Sequence, residues 1–174
     1  MAEQGHYDAA ETEYRDILTT KTRVLGPDHP DTLFTRHEIA GMMAKQGHHA
    51  AAETEYRDIL TTTTRVLGTD HPDSLNTREE IAGMMAEQGH HAAAETEFRD
   101  ILAVEIRVLG PDHPMTLMTR YQIARTMADQ GHHAAAETQY RIILTIQLRV
   151  LGPEHPDTLT TSQSLNYLEQ RNRR

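Results

Sequence analysis

The amino-acid sequence predicts an all-α fold, an α-solenoid of antiparallel helix pairs, and two observations lead to this fold class. The first is a repeat: the 42 residues from Met1 recur from Met43 with 8 differences, and further copies begin at Met85 and Met127. The second is that all seven prolines lie in copies of one segment, Leu-Gly-(Pro/Thr)-(Asp/Glu)-His-Pro. The proline-free stretches between these segments can form uninterrupted helices. We therefore predict a single repeat domain over residues 1–174, with two helices in each unit.

The helix that follows each proline segment, named helix A, is predicted from Asp31 to Gln46 in its first copy. Pro30 falls near its first turn, where a missing N–H costs little. Ile39, Ala40 and Met43 form an apolar stripe, and equivalent stripes recur in the next two copies. One helix cannot bury such a stripe alone, so neighbouring units are expected to stack.

The second helix of each unit, named helix B, is predicted from His49 to Leu67 and ends at Gly68. A Gln-Gly-His sequence precedes it, and the glycine is expected to take the left-handed conformation that ends a helix. Glu53 and Arg57 are four residues apart, which predicts an ion pair on a solvated helix face. The four copies place these glycines at Gly5, Gly47, Gly89 and Gly131, and the charge pairs at Glu11–Arg15, Glu53–Arg57, Glu95–Arg99 and Glu137–Arg141.

Composition excludes several classes of function. With 17 Lys+Arg against 26 Asp+Glu the formal charge is −9, which disfavours nucleic acid and anionic membranes as partners. The absence of cysteine excludes disulfides and cysteine catalysis. No apolar run approaches the ~18 residues of a membrane span, and the first residues lack the pattern of a signal peptide. The expected location is the cytoplasm.

Two motifs carry a family resemblance. The spacing Gly-x4-Ala-x3-Tyr/Phe, as in Gly47, Ala52 and Tyr56 and again in Gly89, Ala94 and Phe98, resembles the signature of tetratricopeptide repeats. The linker LGPDHPDTL and the 42-residue period resemble the kinesin light chain-like subfamily and actinobacterial arrays, which often follow STAND-type ATPase domains. The resemblance covers nearly the whole chain. It implies a right-handed superhelix whose concave groove, lined by the A helices, binds a protein or peptide.

One departure from the family concerns how a ligand would be held. Glu38, Glu80 and Gln122 stand where many peptide-binding members have the asparagine that holds a ligand backbone. The resemblance therefore argues against a carboxylate-clamp mode of peptide capture.

The residues do not suggest an enzyme. The serines, Ser74, Ser162 and Ser164, are not in a nucleophile-elbow context, and no glycine-rich loop could cradle a phosphate. We expect no catalysis and no cofactor.

Histidine is the enriched reactive residue, with 12 copies. A zinc site needs several ligands at about 2.1 Å from one ion, whereas equivalent histidines of successive copies are separated by a helix, hence by about 10 Å or more. We predict no metal site, although surface histidines of two molecules could bridge an adventitious nickel or zinc ion. We interpret the linker histidines as residues that order the Asp-His-Pro turn, and those after the Gln-Gly-His turn as packing residues. The linker set is His29, His71, His113 and His155, and the packing set is His49, His91 and His133.

Positions at which near-identical copies differ indicate the partner-binding surface. Phe34 and His37 change in every later copy and are expected on the helix A face opposite the apolar stripe, the face that lines the groove. Free drift of exposed residues would produce the same pattern. A second variable stretch, residues 104–106 and its equivalents in helix B, is interpreted as a change in packing. The predicted groove residues are Phe34, His37, Glu38, Gly41, Lys45, Asn76, Glu79, Glu80, Met118, Tyr121, Gln122 and Arg125.

The two ends suggest an alternative function. Met1 aligns with Met43, so the chain is expected to begin within a repeat, and its first B helix, about Tyr7 to Leu25, lacks an A helix. That helix is expected to expose Ala10, Tyr14 and Ile17, which predicts self-association, with a weak homodimer as one form. The last A helix, about residues 157–170, is polar on its outer side and is interpreted as a cap. The identity of the partner is not encoded in these patterns.

Overall fold

The computed structural model describes the backbone of residues 2–172 and the side chains of residues 10–171. The described chain contains eight α-helices and no strand. Helix by helix these are α1 (Ala2–Leu25), α2 (Pro30–Lys45), α3 (His49–Leu67), α4 (Pro72–Glu87), α5 (His91–Val108), α6 (Pro114–Asp129), α7 (His133–Val150) and α8 (Pro156–Asn172). The odd-numbered helices are B helices and the even-numbered ones are A helices. The predicted bounds of α2 and α3 are confirmed to within one residue. Within the described range, each helix is too short or too polar to cross a membrane.

The chain forms two compact units, Met1–Met84 and Met85–Arg174, which we name unit 1 and unit 2. In unit 1, α1 packs against α2 and α2 against α3, and in unit 2, α5, α6, α7 and α8 pack in sequence. Each unit therefore spans two copies of the repeat, and each copy contributes a B helix and an A helix.

Histidine caps open the A helices. The Nδ1 atom of His29 accepts a hydrogen bond from the backbone N–H of Asp31 at 3.2 Å, and His155 makes the same bond to Asp157 at 3.2 Å. Equivalent bonds join His71 to Asp73 and His113 to Met115. An acceptor at this position satisfies an N–H that the helix leaves without a partner. The prediction that the linker histidines order this turn is confirmed.

Glycine ends α2, α4 and α6, at Gly47, Gly89 and Gly131. Gly47 has φ of +87°, and the N–H groups of Gly47 and His48 bond to carbonyls of the last turn of α2 at 2.9 Å. The turn predicted at Gly5 is wrong, because Gly5 lies inside α1, which is one helix from Ala2 onwards.

The two units have matching cores. In unit 1, Ala40 of α2 packs with Ala52, Tyr56 and Ile59 of α3. In unit 2 the corresponding residues are Ala124, Ala136, Tyr140 and Ile143. All eight are at most 2% exposed, so the predicted apolar stripes and the Gly-x4-Ala-x3-Tyr spacing mark buried positions.

The predicted ion pairs form, but not on a wholly solvated face. Arg57 lies 2.6 Å from Glu53, and Arg141 lies 2.7 Å from Glu137. The arginines are exposed, whereas Glu95 is only 7% exposed and accepts a hydrogen bond from the side-chain amide of Gln130. Glu95 therefore also connects α5 to Gln130 at the end of the next A helix, α6, a role that helical spacing alone did not predict.

Candidate functional site

The exposed face of the A helices carries the residues that differ between copies. Phe34 of α2 is 57% exposed and its equivalent in α6, Met118, is 38% exposed. Their neighbours Thr35 and Thr119 are buried. Phe34 and Met118 therefore lie on the exposed face of their helices, next to threonines that are buried in each copy.

Two of the predicted groove residues are less exposed than expected. The ring of His37 lies 5.0 Å from the ring of Tyr56, and that of Tyr121 lies 5.3 Å from that of Tyr140. Burial lowers the pKa of His37, which therefore favours its neutral form. The expectation that these two side chains lie opposite the core is wrong, because both are half-buried and cover the edge of the core.

In unit 1 the A-helix face carries Glu38 and Glu80 near the Tyr56 hydroxyl. Gly41 leaves room for this hydroxyl, since a Cβ at Gly41 would lie 3.2 Å from that oxygen. Burial, and then the charges of Glu80 and Glu38, raise the pKa of Tyr56. Asn76 contacts the His37 ring at 3.3 Å, and the predicted groove residue Lys45 is exposed.

In unit 2 the same face forms a cleft of about 430 Å³ between α6, α7 and α8. Tyr121 and Arg125 of α6 line one side of the cleft. The other side belongs to α8, and its lining residues include Gln163, Ser164, Tyr167, Leu168 and Arg171. The hydroxyl groups of Tyr121 and Ser164 lie 2.9 Å apart and join the two sides. Tyr167 is 64% exposed, so an aromatic ring stands at the rim.

The cleft combines guanidinium groups with an aromatic rim, although Asp129 also contributes one carboxylate. Arg125 and Tyr167 occupy the position that is Gly41 in α2 and Gly83 in α4. The change from glycine to two large side chains therefore adds two walls to the cleft of unit 2.

Only part of this cleft was predicted from the sequence. Tyr121 and Arg125 were predicted, but Tyr167 and Arg171 were not, because the helix after Asp157 was interpreted as a cap. Alignment of the four copies would have found them, since Tyr167 and Arg171 are the equivalents of Gly41 and Lys45, two predicted groove residues. Gln122, which was predicted, is only part-exposed.

The predicted self-association face lies on α1. Ile17 is 38% exposed, whereas the equivalent Ile59, Ile101 and Ile143 are at most 1% exposed. Ala10 and Tyr14 are part-buried, so they are more covered than expected but less covered than their equivalents in the other B helices. The apolar face of α1 is therefore partly open to solvent.

Among the side chains that the structure describes, no three His, Asp or Glu residues come together in an arrangement that could hold a metal ion.

Comparison with known proteins identifies the repeat. The family profile for the tetratricopeptide repeat matches residues 1–64, 38–104 and 80–147. No curated protein sequence matches the chain. The crystal structure of a Podosopora anserina kinesin light chain with nearly identical TPR-like repeats is 22% identical, has a TM-score of 0.71, and the alignment covers 98% of this chain and 81% of that one.

A second solved structure, BtubC (BKLC) from P. vanneervenii, is 16% identical with a TM-score of 0.78, and the alignment covers 97% of this chain and 67% of that one. At these identities the likeness concerns the fold, and it confirms the all-α repeat solenoid predicted from the sequence. The three profile matches together span most of the residues, and this chain belongs to the tetratricopeptide repeat family.

Proposed function

We propose that this chain binds a protein or peptide on the exposed faces of its A helices, and that the cleft of unit 2 provides the main contact. Tetratricopeptide repeats generally mediate protein–protein interactions, which gives the class of function. The observation that supports the cleft is its lining by Tyr121, Arg125, Tyr167 and Arg171 from two neighbouring A helices.

Tyrosine and arginine are the residue types that most often dominate the binding energy of an interface. An aromatic ring offers a large contact area at a small cost in conformational entropy, and a guanidinium group can donate two parallel hydrogen bonds to a carboxylate or a carbonyl. The chain as a whole has a charge of −9, so two arginines in one cleft form a local exception. A peptide segment with an apolar side chain and a nearby carboxylate fits this chemistry.

Selection of peptides from a displayed random library on the immobilised chain would test this function. The affinity of the selected peptides is then measured for the double variant R125A/R171A. Loss of both guanidinium groups is expected to weaken binding by about tenfold or more, which corresponds to ~1.4 kcal/mol. The matched control R23A/R65A removes the same number of positive charges from unit 1 and is expected to bind within about twofold of wild type.

Two results would contradict the proposal. One is a selection that enriches no peptide over a surface without protein. The other is a set of peptides that bind R125A/R171A as tightly as the wild type, which would place their site outside the cleft.

A second candidate function is self-association through the open face of α1. The exposure of Ile17, at a position that is buried in the other B helices, supports it. The equivalent Ile59 packs in one core cluster with Ala40 of α2, and Ile143 packs in one cluster with Ala124 of α6. A second copy of α1 packed across a twofold axis would cover both apolar faces in a closed assembly.

Sedimentation of the wild type and of the variants I17E and T12E at matched concentration, in the tens of micromolar, would test this second function. Ile17→Glu is expected to abolish a dimer, whereas Thr12→Glu adds the same charge at an exposed position and should leave it intact. A wild type that sediments as a monomer would refute self-association.

A further inference from the structure

A polar residue occupies one recurring position on the inner side of every B helix. The residue differs in each copy: Lys21, Thr63, Glu105 and Gln147. Thr63, Glu105 and Gln147 are at most 2% exposed. In the A helix that follows, the fixed threonine can bond to it: Lys21 Nζ donates to Thr35 Oγ1 at 3.0 Å, and Thr119 Oγ1 donates to Glu105 Oε2 at 2.6 Å. Each B helix therefore directs one polar side chain towards the A helix that follows, and the identity of this side chain differs between copies.

Glu105 is the acidic member of this set and the most isolated from water. Its side chain is 0% exposed, and its Oε1 atom has no hydrogen-bond partner. The bond from Thr119 serves only one of the two oxygens. A carboxylate buried with a single hydrogen bond is much less stable than one in water, whereas burial of a protonated carboxyl group costs much less because it carries no charge.

The charged groups near Glu105 do not replace the lost solvation. Among the titratable groups in the described part of unit 2, the one whose charge acts on this carboxyl is His113, the N-cap of α6. Burial raises the pKa of Glu105, and the Thr119 hydrogen bond and the His113 charge lower it by less. The protonated carboxyl is thus favoured in the folded chain relative to the unfolded chain.

We propose that Glu105 is a pH-sensitive element that weakens the packing of α5 against α6 when it loses its proton. In the unfolded chain this carboxyl has the ordinary pKa of a glutamate, about 4.3. Because the folded pKa is higher, the stabilising contribution is complete below the unfolded pKa and is lost as the pH rises through the folded pKa. The contribution of Glu105 to the stability of unit 2 is therefore larger at acidic than at alkaline pH.

The other copies supply the control variants. Gln147 occupies the equivalent buried position in α7, so E105Q places in α5 a residue that the fold already accepts there. Urea unfolding of wild type and E105Q is compared from about pH 5 to about pH 8. The midpoint for E105Q is expected to exceed that of wild type increasingly as the pH rises. The titrating groups that do not interact with Glu105 are common to both proteins and cancel in the difference, so the difference reports Glu105 together with His113, whose charge acts on it.

A direct measurement is independent of stability. The carboxyl carbon of Glu105, assigned by its absence from the E105Q spectrum, is titrated by NMR in the folded wild type. We expect a midpoint above the ordinary value for glutamate. A midpoint at or below that value, or a difference between the urea midpoints of E105Q and wild type that does not change with pH, would overturn the proposal.

A glutamate introduced at the equivalent position of unit 1 tests whether burial at this position is sufficient to make stability depend on pH. Thr63 is the smallest member of the set, and a cavity of about 60 Å³ adjoins it, lined also by Leu33, Ile59 and Thr77. Asp73 and His37 line the same cavity. The negative charge of Asp73 would further oppose ionisation of a glutamate, and burial lowers the pKa of His37 and so favours its neutral form. The free energy of unfolding of T63E is expected to fall with rising pH more steeply than that of T63Q. An identical pH dependence of T63E and T63Q would contradict the mechanism.

Discussion

Replacement of Tyr56 by alanine tests the assignment of inner and outer faces on α2 and α3. Tyr56 is 1% exposed and packs with Ala40, Ala52 and Ile59, whereas Phe34 is 57% exposed. A buried aromatic side chain removes ~150–250 Å² from water, worth ~4–6 kcal/mol at ~25 cal/mol per Å². Truncations of buried aromatic residues cost ~3–5 kcal/mol. We therefore expect Y56A to lower the free energy of unfolding by about 4 kcal/mol.

Two further variants calibrate this value. F34A is expected to cost about 1 kcal/mol or less, because much of that ring is already in water. Y56F keeps the ring, and Phe98 fills the equivalent position in α5 at 1% exposure, so the hydroxyl is dispensable there. We expect Y56F to stay within about 1 kcal/mol of wild type.

Urea unfolding followed by far-UV circular dichroism measures all three variants under the same conditions. Y140A in unit 2 serves as a replicate, because Tyr140 makes the matching contacts with Ala124, Ala136 and Ile143. If F34A proved as destabilising as Y56A, the outer face of α2 would be part of the core and the proposed binding surface would be misplaced.

Two other predictions concern the backbone. H155A should destabilise α8 by about 1 kcal/mol through loss of its cap, whereas H155N should retain most of that stability. Equal urea midpoints for H155A and wild type would contradict the capping role. Gly83 lies inside α4 with no atom near its Cβ position, so G83A should stabilise the chain by ~0.5–1 kcal/mol. G41A should gain less stability than G83A, because its Cβ would crowd the Tyr56 hydroxyl at 3.2 Å. Thermal unfolding compares the two variants. An equal gain in stability would contradict the effect of this crowding.

The fold could be predicted largely because its signals are local. Proline fixes where α2 begins and Gly47 where it ends, and neither choice depends on the rest of the molecule. The turn at Gly5 was predicted wrongly, because the same Gln-Gly-His sequence lies inside α1 there. This short motif alone therefore does not determine where a helix ends.

The candidate site was predicted less completely, because exposure is a property of the packed molecule. His37 and Phe34 are neighbours on one helical turn and vary equally between copies, yet only Phe34 is exposed, since Tyr56 of α3 covers the ring of His37. Helical periodicity also cannot show that Glu105 is fully buried. Its position follows the pattern of a packing residue, and its charge suggests a surface residue.

The matching cores of the two units have a consequence for how this gene can change. Ala40, Ala52, Tyr56 and Ile59 each have a counterpart of the same type in the core of unit 2. A recombination event that deletes or duplicates two periods therefore keeps residues of the same type at these four core positions. Stability of such an array changes by whole repeats and their interfaces. Array length can thus change by unequal crossing-over while these core contacts are kept.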